Sequence, residues 1–575
     1  MQFSWSSSKL PVPRHLSTLS SSYSFPTLDM FVAAAALVGL FLCVSTVGVL
    51  LFRRIVKARA FRNIAGPSNG SFIAGHLMKL YGLDATPWHQ YLSDTYGRVI
   101  KLRGLMGDTQ LLVADPKALN HILVKDQYVF EETDFFLESN RLALGPGLSA
   151  TIGDAHRKQR KLLNPVFSAA HMKLLVPVFH HITLQLQDVL RQKVADGPQT
   201  IDMLDWMGRL ALEAIAQAGL GHTFNTMDGD PHTYAWALKQ FFPTLGRISK
   251  WSALAPPANV IRKFPPYLLR LAGRLMPWDA LHRLMNVVEI LDDESQDLWN
   301  DKKALLAKGD DALVSKVNEG KGKDLLSVLL SANKYASQDD QIPDAELRAQ
   351  MSMLILAGTD TTSSALGRIL CLLAEHPEVQ DKLRKELAAV DGQKGKLSYD
   401  DLNALPYLEA VCRETLRLHA PATFVQRVSR KDMVVPLDKP IKGINGEEIH
   451  QLFIPNDTEI VVHITGVNRD RDIWGADALE WKPERWLAPL PASVTDARIP
   501  GVYSNMMTFL GGGRSCIGFK FSQLEMKVVL SQLVHTFRFS LPKEEIVWNF
   551  SSIIFPVVKD SGIDGPHLPL LVALA

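Results

Sequence analysis

The apolar patterning of this chain predicts a mainly helical protein with a small β part, preceded by one membrane-spanning helix. Three observations carry that prediction. Long stretches place apolar residues at helical spacing, above all Asp344 to His376 and Phe519 to Phe537. Val99 to Leu102 and Gln110 to Val113 read as a strand pair. From Met30 to Phe52 there are 23 residues without a charge, enough to cross a bilayer once at about 1.5 Å per residue.

Composition bounds the class. Of the 575 residues, 47% are hydrophobic and 21% charged, as in an ordinary globular protein with room for a large core. A net charge of +2 gives no case for nucleic-acid binding. The four cysteines, Cys43, Cys371, Cys412 and Cys516, are scattered and form no CxxC site or disulfide framework, which points to a reducing compartment.

In chain order, residues 1–29 form a Ser- and Pro-rich leader and residues 30–52 the anchor. Arg53, Arg54, Lys57, Arg59 and Arg62 follow, and by the positive-inside bias they place this flank in the cytosol. A cleavable signal peptide, the rival reading, has a shorter apolar core and a small-residue cleavage site. Gly66 to Gly70 then breaks the pattern, so that residues 53–70 read as a basic flank with a Pro/Gly hinge. Trp88 to Tyr96 reads as helix, and Pro116 to Val124 starts another. Residues 127–149, with Phe130, Phe135, Phe136 and Leu137, read as a long irregular loop serving as a lid or pocket wall. Gly153 to Arg160 opens a basic helix ending near Asn164-Pro165.

From about 170 to 300 the pattern is helical. Trp251 to Trp278 contains no acidic residue and alternates Arg262, Lys263, Arg270 and Arg274 with apolar side chains. Such a face suits a membrane surface, and equally core helices rimmed by arginines. Lys302 to Lys323 reads as a solvated linker before a helix at Asp324 to Ala332. Within the helix from Pro343 to His376 lies Ala357-Gly358-Thr359-Asp360-Thr361-Thr362. Glycine and consecutive threonines are poor helix formers, and a local rule broken at a cost points to function.

Near the C-terminus stands Phe509-Leu510-Gly511-Gly512-Gly513-Arg514-Ser515-Cys516-Ile517-Gly518. Cys516 falls at a helix N-terminus, where unpaired N–H groups and the helix dipole favour a thiolate able to bind a soft metal. The glycines are expected to let a flat, bulky partner approach, and Arg514 to place a cation beside it. A structural cysteine after a glycine turn would explain neither Phe509 nor Arg514 at their fixed offsets. The pattern Phe509, Gly512, Arg514, Cys516, Gly518 resembles the haem-binding loop of the cytochrome P-450 family.

The resemblance implies the P-450 fold over residues 71–575 as one catalytic domain, and haem b with Cys516 as axial thiolate. It also implies a local opening of the helix at Ala357 to Thr362, with Asp360 and Thr361 as the acid–alcohol pair that delivers protons during oxygen activation. Arg160 keeps a family position for a haem propionate, whereas His156 stands where a tryptophan is usual. His156 then reads either as a substitute donor or as a surface residue of the basic helix. Arg427 matches a further propionate position. Glu414, Arg417 and Arg485, the last within Pro-Glu-Arg-Trp, resemble the family's Glu-Arg-Arg network. Ala422 to Arg427 is expected to pass over the haem and Ile553 to Pro556 to turn into the site.

Only 59 residues follow Cys516, without a flavin-binding pattern, so electrons are expected from a separate NADPH-dependent cytochrome reductase. The implied function is a monooxygenase of the endoplasmic reticulum membrane, single-pass, with its catalytic domain in the cytosol and a lipophilic small molecule as substrate. A haem-thiolate isomerase or dehydratase and a non-enzymatic membrane haem sensor are the alternatives. The anchor, the proline pattern and His156 resemble fungal microsomal members, whose substrates include terpenoids, fatty acids and aromatics.

Overall fold

The computed structural model describes residues 41, 44, 45, 48, 49, 51–228, 233–249, 251, 258–307, 324–394, 396–503, 505–562 and 565–575. Two compact units are distinguished, Met1–Val56 and Lys57–Ala575. The leader and most of the expected anchor lie outside the described residues, as do Cys43 and most of the expected linker. Among the described residues, no single helix is long and apolar enough to cross a membrane. One bent pair, Gly153–Phe167 with Ala169–Lys193, passes on length and composition. Its Leu163, Val166, Met172, Leu175 and Phe179 are buried in the main core, as expected of core helices.

The second unit begins with α1 (Ala85–Tyr96) and the antiparallel pair β1 (Val99–Arg103) and β2 (Thr109–Val113). A short β3 (Phe130–Glu131) and helix α2 (Asp134–Leu144) occupy the stretch expected to be irregular loop. Thr133 explains the difference: its hydroxyl accepts the Phe136 N–H at 3.3 Å and caps a helix whose Leu137 and Leu144 are buried. Then come α3 (Gly153–Leu163), α4 (Ala169–Lys193), β4 (Gln199–Asp202), α5 (Met203–Ala214), α6 (Thr233–Ser249), α7 (Pro266–Leu275) and α8 (Asp279–Ala307). Residues 302–307, expected in the linker, continue α8. After α9 (Leu325–Tyr335) the central α10 (Asp344–Glu375) starts with Asp344 and Glu346 complementing its dipole. Of its 32 residues 21 are buried, the mark of a helix enclosed on every side.

The chain continues through α11 (Pro377–Lys394), α12 (Pro406–Leu418), β5 (Phe424–Ser429), β6 (Met433–Lys442), β7 (Glu448–Ile454) and β8 (Glu459–His463). The cysteine loop leads into α13 (Phe519–Thr536), followed by β9 (Phe537–Ser540), β10 (Ile546–Ser551), β11 (Ile553–Val558) and β12 (Pro569–Leu574). The largest sheet has the order β1-β2-β8-β5-β3, with only β2 and β8 parallel. Alternate residues of this sheet feed two apolar clusters, and a larger one surrounds α4, α5, α10, α12 and α13. β4, not foreseen in the sequence, exists because β12 pairs with it from the far end of the chain.

Candidate active site

The cysteine loop is closed by the Cys516 N–H, which donates to the Phe509 carbonyl at 2.9 Å. The Phe509 ring lies 5.7 Å from Tyr503 and 6.0 Å from Phe519, centroid to centroid. Gly512 adopts φ +71°, and a Cβ there would stand 1.9 Å from the Leu123 carbonyl oxygen. At Gly511 a Cβ would stand 1.6 Å from the Pro500 carbonyl oxygen. These two glycines therefore serve close packing of the loop on protein backbone, not the approach of a flat partner. Gly518, the N-cap of α13, has open space where its Cβ would be.

Cys516 is exposed, with protein packed around it. Burial pushes its thiol above the usual range, against the Gly518 N–H and the Arg160 guanidinium, which pull it down. The N–H at the helix terminus thus favours the thiolate, as the sequence suggested, while burial opposes it. Arg514, expected beside the loop's partner, is held by protein groups here. Arg514 donates to the Thr151 carbonyl at 2.6 Å, the Leu148 carbonyl at 3.4 Å and Glu131 at 3.4 Å.

Arg160 donates to the Ser515 carbonyl at 2.7 Å and to Asn164 at 3.0 Å, one turn after His156 on α3. His156 is buried, which excludes the solvated-face alternative. Burial, then Arg514, Arg160 and Arg427, depress its pKa to about 3, so the ring is neutral at physiological pH. Three guanidiniums thus converge on one imidazole. Glu132 pairs with Arg427 at 2.9 Å and Glu131 with Arg514, whereas Arg160 has no carboxylate partner among the described residues. Sequence reading missed Glu131, at the end of β3, and Glu132, just after it, both inside the supposed loop.

Glu414 and Arg417 on α12 are fully buried. All five Arg417 N–H groups are used: Nε and Nη2 reach the two Glu414 oxygens at 2.9 and 2.8 Å, and the carbonyls of Asn468, Ala478 and Glu480 accept the rest. Arg485 joins through Nε to Glu414 Oε1 at 3.2 Å. Asp477, which binds Arg485 at 2.9 Å, and Trp486, which donates to Glu414 at 2.9 Å, complete the network and were not foreseen.

A cavity of about 960 Å³ is lined by α10 (Ala349, Met353, Ala357), β5 and the loop before it (Ala422, Phe424), and the cysteine loop (Leu510, Arg514). Phe135 and Phe136 on α2 and Ile553 on β11 also line it, so the stretches expected as lid, crossing strand and tail border one cavity. α10 passes the site as continuous helix. The expected local opening is not seen; the Thr359 and Thr361 hydroxyls bond the Ile355 and Ala357 carbonyls one turn back, at 2.8 and 2.7 Å, within a continuous helix. Asp360 lines a second cavity of about 220 Å³ with Asp205, Arg209 and Lys239. Burial raises its pKa to about 7, partly offset by Lys239.

Residues 65–556 match the family model described as cytochrome P-450. The chain belongs to this family. It is 47% identical over 531 residues to cytochrome P-450 monooxygenase 91 of Postia placenta, covering 91% of this chain and 97% of that protein. It is 43% identical over 519 residues to a ganoderic acid synthetase of Ganoderma lucidum, covering 89% and 94%. It is an oxidoreductase, a P-450 monooxygenase. Membership implies a haem held by a cysteine thiolate, and the residues present fit one. Cys516 offers an exposed soft ligand, and Arg160 offers a half-buried guanidinium without a carboxylate partner among the described residues for a propionate to meet.

Proposed function

We propose that this P-450 is a membrane-anchored monooxygenase that takes electrons from a separate NADPH-dependent cytochrome reductase and inserts one oxygen atom of dioxygen into a lipophilic small molecule. The observation carrying the substrate class is the apolar cavity between α10 and β5, which ends at the cysteine loop. Its apolar lining is in keeping with the relative named for ganoderic acid. Oxygen consumption that requires both reductase and NADPH, and that a lipophilic substrate stimulates, is the expected result. An isomerase or dehydratase would turn over without either.

Bound through Cys516, haem supplies the activation of dioxygen. Arg160 and the neutral His156 would hold its propionates, with Arg514 and Arg427 beside them in their pairs with Glu131 and Glu132, and the Glu414, Arg417 and Arg485 network would hold the backbone beneath the cysteine loop. Thr361 Oγ1 and the Asp360 carboxyl supply protons. With its pKa near 7 the carboxyl is protonated about half the time at neutrality, and Lys239 faces it across the smaller cavity. Thr361→Ala is expected to consume NADPH and dioxygen still, with much of the flux leaving as hydrogen peroxide. Coupling equal to wild type would sink the relay. Asp360→Asn is expected to slow turnover within the roughly 10²–10⁴-fold range of general acid–base help and to enlarge the solvent isotope effect. Wild-type turnover should fall as pH rises through about 7, where the Asp360 proton is lost, and this step should vanish in the variant.

The anchor at 30–52 and the hinge within 53–70 place the enzyme on the cytosolic face of the endoplasmic reticulum in this reading. A second membrane contact is supported by Phe264, Tyr267, Leu268, Leu271, Leu275 and Met276, all exposed around α7, with Arg262, Lys263, Arg270 and Arg274 among them. Removing residues 1–52 is expected to release only part of the protein from membranes. Complete release would remove the second contact.

A further inference from the structure

The cavity wall is apolar except for a few groups, and their partners show which of them are free to meet a ligand. Arg427 is paired with Glu132, Arg141 with Glu138 at 2.8 Å, and Arg348 with Asp292 at 2.8 Å. These cations are compensated. Gln426 and Tyr81 differ. Glu459, at the start of β8, accepts Gln110 Nε2 from β2 at 2.6 Å and Gln426 Nε2 from β5. That bond turns the Gln426 amide nitrogen toward the carboxylate and leaves Oε1, which has no donor among the described residues, facing away from it. Tyr81 packs edge-on against Phe424, 5.5 Å between centroids, two residues before Gln426 and on the same face of β5. Tyr81 is partly buried and lines the cavity, and its hydroxyl has no hydrogen-bond partner among the described residues. A phenol that faces a cavity without a protein partner is free to donate to a ligand there.

We propose that the Tyr81 hydroxyl and Gln426 Oε1 form a two-point site for an alcohol group on an otherwise apolar substrate. The phenol donates to the substrate oxygen, and the substrate O–H donates to Gln426 Oε1. Glu459 and Gln110 act as positioning residues that hold the amide in that orientation. A carboxylate ligand is disfavoured: Glu459 stands behind the site, and the cations named above are already paired. Burial, then Glu459, hold the Tyr81 hydroxyl well above its ordinary pKa, so it remains a donor at physiological pH. The inference rests on the monooxygenase reading and narrows its substrate class to neutral lipophilic alcohols.

The test uses the haem-loaded, full-length enzyme and matched probes: cholesterol against the deoxy hydrocarbon of the same skeleton, and dodecanol against dodecane, with dodecanoate as the anionic control. Affinity is read both by equilibrium dialysis and by the high-spin absorbance shift. In at least one pair the alcohol is expected to bind about tenfold tighter than the hydrocarbon, and dodecanoate to bind more weakly than dodecanol. Tyr81→Phe and Gln426→Leu are each expected to remove about that factor for the alcohol while leaving the hydrocarbon unchanged, with the reduced carbon monoxide spectrum retained as proof of an intact fold. Glu459→Gln, which frees the amide to flip, is expected to cost a few-fold. No preference for the alcohol in either pair, or a preference that survives both Tyr81→Phe and Gln426→Leu, overturns the site. If the hydrocarbons still bind and stimulate oxygen consumption in that case, the monooxygenase reading stands while the alcohol site falls. Absence of reductase-dependent oxygen consumption with every ligand would instead remove the reading itself.

Discussion

Cys516→Ala abolishes the thiolate-type absorption band of the reduced, carbon monoxide-bound protein, while Cys371→Ala and Cys412→Ala retain it. That contrast is the expected result, and its reason is where each sulfur sits. Cys371 on α10 and Cys412 on α12 are buried in the core, and burial pushes both thiols up to about 12. Neither opens onto a space where a cofactor would fit, and Cys371 already donates to Glu375 at 3.3 Å. Cys516 alone among the described cysteines is exposed, with Arg160 and the Gly518 N–H favouring its anion. No other side chain of the loop is a soft anionic ligand. Persistence of the band in Cys516→Ala would remove the assignment of Cys516 to haem.

Arg417→Ala is expected to yield little or no haem-loaded protein. Glu414 would keep Arg485 Nε at 3.2 Å, Trp486 Nε1 at 2.9 Å and the Lys482 N–H at 3.1 Å, but lose its bidentate partner inside a fully buried cluster. The carbonyls of Asn468, Ala478 and Glu480 would lose their Arg417 donors at once. Breaking a buried pair costs about 3–5 kcal/mol, and a buried acceptor left without a donor about 1–3 kcal/mol more. Against a total stability of about 5–15 kcal/mol this is enough to unfold the segment that carries the cysteine loop. Arg417→Lys is expected to fail as well, since an ammonium cannot reach a carboxylate and three carbonyls with one planar fork. Haem per polypeptide and thermal unfolding are the measurements, and normal haem content in Arg417→Ala would show that the network is dispensable.

The parts of the site legible in the sequence are those whose geometry is set by neighbours along the chain. Phe509 and Cys516 close one tight loop, Glu414 and Arg417 lie one turn apart on α12, and His156 and Arg160 one turn apart on α3. α10 was legible for the same reason, its apolar residues covering every face over 32 residues between Pro343 and Pro377. Helix α2 was not, because its cap at Thr133 is a weak local signal beside a run of aromatic residues that follows no single period.

By itself, then, the sequence determined the helical class, the strand pair at β1 and β2, and the spacing of the cysteine loop, all of which depend on local steric and hydrogen-bonding preferences. Tertiary structure alone decided what surrounds those elements. It turned the loop glycines toward Leu123 and Pro500, gave Arg160 to the cysteine, and paired Arg427 with Glu132. It also brought Tyr81, Gln110, Gln426 and Glu459 together from segments far apart in the chain. Such contacts follow from strand register and helix packing, in which a side chain's partner is fixed by the burial of many residues at once, and no spacing along the chain encodes that sum.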